Sequence, residues 1–123
     1  MADKTKFIEE LNAKYQPKGE YIVLGKGMLD GEVITEVDVN IPLKTINRHG
    51  LIAGATGTGK TKTLQVFVEQ LSHKGIPTLV MDIKGDLSGI AVEGEQNDKI
   101  NERYAKTKLP YQPQSFPVEL MTI

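Results

Sequence analysis

The chain has 123 residues, enough for one domain of ordinary size, and its 15 basic and 16 acidic side chains leave a formal charge of -1; no strong positive field for nucleic acid follows from that balance. Cysteine is absent, which excludes disulfides, thiolate metal sites and a cysteine nucleophile. No apolar run approaches the roughly 20 residues of a membrane span, the charged start Met1 to Ile8 has no secretory core, and there are only two histidines; these features point to a cytoplasmic protein with no membrane partner and no histidine-rich metal centre.

Asp3 to Tyr15 has a helical rhythm, with Phe7, Ile8 and Leu11 sharing a face, and Pro17 and Gly19 end it. Tyr21 to Leu24 reads as a short strand. Gly25, Gly27, Asp30 and Gly31 read as a turn-rich stretch, and Glu32 to Ile41 as a half-exposed antiparallel strand. Residues 1–45 are therefore expected to form a helix and a small strand-rich segment. Residues 46–123 are expected to form the first part of a nucleotide-binding α/β domain. Within it, His49 to Ala53 reads as a short apolar strand with His49 packed at its start. Lys60 to Ser72 is amphipathic through Leu64, Phe67, Val68 and Leu71. Gly75 stands where a left-handed residue commonly closes a helix. Ile76 to Met81 reads as a buried parallel strand, with Pro77 at its entrance. Asn97 to Lys108 reads as a helix with Ile100 and Tyr104 on one face. Phe116 to Ile123 reads as the start of a further strand, and this abrupt apolar end suggests a fragment of a longer protein.

Between the first apolar strand and its helix lies Gly54-Ala55-Thr56-Gly57-Thr58-Gly59-Lys60-Thr61. It fits the pattern G-x-x-x-x-G-K-[ST] in the strand–loop–helix context that a phosphate-binding P-loop requires. Backbone amides must converge on phosphate oxygens, and Gly54, Gly57 and Gly59 remove the side chains that obstruct this approach. The helix that follows opens with amides free of helical partners and with a dipole that favours an anion. Lys60 adds a mobile positive charge for the β- and γ-phosphates, and Thr61 offers a hydroxyl to Mg²⁺. The expected ligand is a magnesium nucleoside triphosphate, ATP with Mg²⁺. Ala55, Thr56 and Thr58 fill the remaining loop positions.

Asp82 follows Leu79-Val80-Met81 at the carboxyl edge of the second expected strand, where metal-linked chemistry and simple loop capping are both open. Lys84 and Asp86 read as solvated loop charges, Glu69 as helix-surface solubility, and Arg48 and Arg103 as exposed. Tyr15, Tyr21, Tyr104 and Tyr111 make no base-stacking stripe. The residues show a phosphate-binding half more clearly than a complete hydrolytic set. A P-loop small-molecule kinase or transferase and a nonenzymatic nucleotide-sensing assembly domain fit the same pattern.

The runs Asn47 to Thr61 and Val80 to Ala91 resemble the bacterial HerA-like P-loop ATPase and helicase family, the DUF853 group, and Phe116-Pro117-Val118 is similar to that family's continuation. The resemblance implies a RecA-like core related to hexameric DNA translocases. It implies Lys60 and Thr61 as phosphate and magnesium residues, and Asp82 and Lys84 as part of a loop near the nucleotide and subunit boundary. The Walker B pair lies on a later strand in such proteins, so Asp82 is expected to act at the metal or to organise the loop beside it. The catalytic glutamate and arginine finger would belong to the longer parent. A homo-hexamer and DNA are partners implied by the resemblance alone.

Overall fold

The computed structural model describes residues 3–122. The chain is α/β, and its described residues contain a single sheet, a two-stranded antiparallel one. They divide into two compact units: the chain through Gly50 together with Asn97–Tyr111, and Leu51–Gln96 together with the segment from Gln112 onward.

In the first unit, helix α1 spans Lys4–Tyr15. Asp3 caps it: its carboxylate accepts from the Thr5 amide at 3.0 Å and the Lys6 amide at 3.3 Å, which satisfies two first-turn donors. Phe7, Ile8 and Leu11 are half-buried along the expected face, and α1 lies against a hairpin of β1, Tyr21–Leu29, and β2, Glu32–Pro42. Asp30 and Gly31 both have positive φ, 50° and 83°, the backbone that a tight two-residue hairpin turn demands. The Asn40 side-chain amide donates to the Tyr15 carbonyl at 3.1 Å and ties the end of α1 to β2.

β1 runs on to Leu29, so Gly25 and Gly27 lie inside a strand, where the sequence suggests a turn. Each sits beside an irregularity of the ladder. Gly25 pairs with Val39 and Val23 with Asn40, which leaves Leu24 as an extra residue; Lys26 pairs with Asp38 but Gly27 with Ile34. Thr35, Glu36 and Val37 thus bulge out of β2. The bulge turns Val37 inward to full burial beside Ile22 and Ile34. A Cβ on Gly27 would meet Val37 Cγ1 at 3.0 Å, so the missing side chain makes room for the core valine. Lys26 is drawn into the same bulge, where its ammonium pairs with Asp38 at 2.5 Å and donates to the Thr35 carbonyl at 2.9 Å. Helix α3, Asp98–Thr107, belongs to this unit. Asn97 caps it through the Ile100 amide at 3.0 Å, and the Tyr104 and Tyr111 rings stack with centroids 4.5 Å apart.

In the second unit, α2 spans Lys60–His73. It closes as the sequence predicts: Gly75 has φ 71°, its amide reaches the Ser72 carbonyl, and the Ile76 amide reaches back to Leu71, the paired bonds of a Schellman ending. Leu71, Ile90 and Gln65 are the buried side chains here. The His73 and Phe116 rings meet edge to face at 5.0 Å, and the Phe116 amide donates to the Ile90 carbonyl at 3.1 Å.

The apolar runs expected as strands, 49–53, 76–81 and Phe116 to Ile123, lie outside helix and strand over their described residues; Ile123 falls outside the described residues. Many of their side chains face solvent, with Leu51 at 89%, Leu79 at 84% and Leu120 at 78% exposure; Ile76, Val80 and Phe116 are half-buried, and His49 is exposed rather than packed. The physical reason is that strand pairing needs a neighbour to complete its ladder and a layer to cover its face. Leu64, Phe67 and Val68 are accordingly only half-buried, although they share the expected face of α2.

The first unit's core makes a quantitative expectation. Val37→Ala should destabilise the hairpin unit by about 2–3 kcal/mol, the sum of lost transfer energy and an incompletely collapsed cavity. Chemical denaturation followed by far-ultraviolet circular dichroism checks this; a loss below about 0.5 kcal/mol, the scale of a surface substitution, is the contrary result.

Candidate functional site

The site is built on the amino terminus of α2. Gly59 precedes the helix with φ 94° and Gly57 lies two residues earlier with φ 80°, conformations that side chains strongly disfavour. The first bond of the helical ladder runs from the Thr63 amide to the Gly59 carbonyl at 2.9 Å. The amides of Lys60, Thr61 and Lys62 therefore stand ahead of that ladder, at the positive end of the helix dipole.

The loop before the helix curls back on itself. The Thr58 hydroxyl donates to the Ala55 carbonyl at 2.7 Å, and the Thr58 amide donates to the same oxygen at 3.3 Å. The curl brings Thr58 so close to Gly54 that a Cβ there would lie 2.6 Å from Thr58 Oγ1. Gly54 is thus required by a close approach, and Gly57 and Gly59 by their dihedrals. The Lys60 ammonium also donates to Ala55 O, at 2.8 Å, which carries its charge back over the loop. Thr56 is exposed and fills its position.

A second loop meets this one. The Thr61 hydroxyl lies 3.4 Å from Asp86 Oδ2 and donates to it. One helical turn on, the buried Gln65 amide donates to the Asp86 carbonyl at 3.3 Å. Asp82 closes the turn that presents Asp86: Oδ1 accepts from the Gly85 amide at 2.9 Å and Oδ2 from the Leu87 amide at 2.8 Å. Gly85, with φ 76°, supplies the left-handed residue of that turn, and the Ser88 hydroxyl donates to its carbonyl at 3.0 Å. Of the two acidic residues, the contact with Thr61 belongs to Asp86, which the sequence leaves as a solvated charge. Asp82 does the work of loop capping, one of the two roles open to it. Lys84 is exposed on this loop. A signal for Asp86 did exist in the sequence. It lies four residues beyond Asp82 and just after Gly85, and a tight turn between the two carboxylates presents the second one to the first loop.

Among the described residues no cluster of three His, Asp or Glu side chains is poised to hold a metal unaided. Mg²⁺ typically takes one or two protein oxygens and completes its shell with water and phosphate, and the Thr61 hydroxyl, with the Asp86 carboxylate beside it, suits the role of one such oxygen. Glu69 is half-buried on α2, and burial pushes its carboxyl above the usual range. No described helix is long and apolar enough to cross a membrane.

Comparison with known proteins finds the pattern of the Helicase HerA-like C-terminal family over residues 28–123. "Probable helicase MJ1565" of Methanocaldococcus jannaschii is 35% identical over 78 residues, which cover 60% of this chain and 15% of that protein. "DNA double-strand break repair helicase HerA" of Saccharolobus solfataricus is 32% identical over 78 residues, covering 63% of this chain and 14% of that protein. The match therefore spans about a seventh of the length of these relatives. No solved structure matches the chain.

The Asp82 turn has a defined acid response. The Leu87 amide chiefly, with the Gly85 and Lys84 amides and the Asp86 side chain, holds its carboxyl below the usual carboxylate range. A depressed carboxyl stabilises the fold fully above its unfolded pKa, about 3.9, and that contribution is lost as pH falls through the lower folded value. The Leu87 amide resonance should therefore stay constant from about pH 8 to about pH 5 and titrate in one step below about pH 4. Asp82→Asn should abolish the step; a Leu87 amide unmoved by acid in the parent chain is the contrary result.

Proposed function

The chain belongs to the Helicase HerA-like C-terminal family, and on that premise we propose that residues 46–123 are the nucleotide-binding part of a HerA-type ATPase, with Gly54 to Thr61 as its P-loop for Mg²⁺ and ATP. The observation that carries the reading is the cradle at Gly54. A single methyl group there would collide with Thr58 Oγ1 at 2.6 Å, while Gly57 and Gly59 take positive φ immediately ahead of helical amides that have no partner in their own helix. An ordinary turn needs no such set of three glycines, whereas a polyanion does.

Each residue then has a role of its own. The amides of Gly57, Gly59, Lys60 and Thr61 would hold phosphate oxygens by oriented N–H groups, and that of Thr58 would join them on leaving the Ala55 carbonyl. Ala55 and Thr56 form the wall of the loop, and the Ala55 carbonyl fixes Thr58 and keeps Lys60 nearby. Lys60 leaves that carbonyl to neutralise the terminal phosphates, where charge grows as a phosphoryl group departs; this is its catalytic contribution. Thr61 provides a hydroxyl oxygen for the magnesium ion. Asp82 serves the metal side by holding the loop beside it. When bound, the metal nucleotide supplies an activated phosphoryl group.

The same reading treats the apolar runs at 49–53 and 76–81 as parallel strands of a RecA-like core completed by the longer protein. In this reading that protein also supplies the water-orienting glutamate and the arginine finger. A homo-hexamer acting on DNA is the proposed working form; the name of the Saccharolobus solfataricus relative supports DNA as a partner, and the hexamer rests on the family resemblance alone.

Lys60→Ala should lower Mg-ATP affinity at least about tenfold, or about 1.4 kcal/mol. It should leave the far-ultraviolet circular dichroism unchanged, because the Lys60 ammonium bonds only a loop carbonyl. Titration calorimetry checks it, and equal affinity of variant and parent contradicts the proposal.

A further inference from the structure

We infer that Asp86 is a metal-positioning residue: its carboxylate orients the Thr61 hydroxyl and completes the outer shell of the magnesium ion at the P-loop. The inference rests on the nucleotide reading above and goes beyond it. The sequence pattern assigns metal chemistry to Thr61 and, at the second loop, to Asp82. The structure puts Asp86 Oδ2, not Asp82, 3.4 Å from Thr61 Oγ1.

A hydroxyl has one proton to donate and two lone pairs to offer. With its proton directed to Asp86, Thr61 Oγ1 turns a lone pair outward, which is the orientation a cation needs. The distance is long for a hydroxyl–carboxylate bond, and such contacts commonly tighten only in the loaded complex. The carboxylate also accepts hydrogen bonds from metal-bound water and adds a negative charge beside the cation. Outer-shell groups of this kind orient the direct ligands and raise metal affinity.

Three side chains fix Asp86 and its flanking backbone through four hydrogen bonds, which a merely solvated loop charge does not require. The buried Gln65 side chain, one turn along α2 from Thr61, grips the Asp86 carbonyl at 3.3 Å. Asp82 fixes the flanking amides of Gly85 and Leu87. Ser88 fixes the Gly85 carbonyl at 3.0 Å. Gln65 is the buried polar side chain of this unit, and its amide is used to fix this one backbone point. The two loops are thereby registered to each other through α2 itself.

The charge sign gives the test its direction. Without metal, an anionic Asp86 repels phosphate; with metal, it attracts the cation that bridges to phosphate. Binding of a fluorescent, non-hydrolysable ATP analogue to the complete 123-residue chain is measured in magnesium and in excess chelator. Asp86→Asn should leave the chelator affinity unchanged or raise it. It should cut the gain conferred by magnesium by about tenfold or more, the usual effect of losing an outer-shell group. Asp86→Glu should restore part of that gain. In a Thr61→Ala background, Asp86→Asn should add little, because the two residues act on one ion.

An Asp86→Asn chain that keeps the full magnesium gain overturns the inference. So does one that loses affinity equally with and without magnesium, since a purely structural role moves both alike. If the parent chain binds no analogue under either condition, the nucleotide reading itself fails, and the role of Asp86 falls with it.

Discussion

Everything at the candidate site depends on a steric constraint at the mouth of α2. Backbone amides converge on one point only if the chain curls tightly, and the curl leaves no room for side chains on its inner surface. Thr58 closes the curl by donating to Ala55 O, and Gly54 yields the space into which Thr58 folds. Gly57 and Gly59 then turn the chain through left-handed dihedrals into the helix. The outcome is a tight glycine loop that leads into the amino terminus of α2 and the positive end of its dipole. Lys60 and Thr61 follow as the first two helical residues, so their side chains start from that same mouth.

The second loop depends on the first. Helix α2 offers Thr61 at its opening and Gln65 one turn later, and both reach Asp86. A helix rises about 5.4 Å per turn, so these two contacts set the height of the 82–87 loop along α2. Asp82 shapes that loop from within by capping its amides. Each acidic residue thus has a separate task, and the Leu87 and Gly85 amides hold the Asp82 charge in its ionised form.

Local chemistry was legible in the sequence where a residue's own backbone decides the outcome. Gly75 ends a helix and Asp30-Gly31 lies in the expected turn; Asp3 and Asn97, read as the first residues of helices, stand one place before them as caps. Features set by distant contacts were not legible. Gly25 and Gly27 look like turn residues, yet they serve a ladder whose bulge is specified by Val37, ten residues beyond Gly27. The same bulge draws Lys26 into an ion pair with Asp38, a partner twelve residues away that no local pattern announces. The Thr61–Asp86 contact spans 25 residues and depends on how two loops meet. The strand pattern at 76–81 is strongly apolar, but pairing is a property of two segments, and the described residues give this one no ladder. Family membership was also legible, through the runs around Lys60 and Asp82, because those runs are constrained by backbone geometry as much as by side-chain chemistry.

The most direct measurement is an amide-resolved nuclear magnetic resonance titration of the chain with inorganic tripolyphosphate and Mg²⁺. A phosphate cradle predicts large, saturating shifts confined to the amides of Gly57 through Thr61, with a smaller response at Asp86. Weak shifts scattered over the lysine-bearing surface, with those five amides silent, would contradict it.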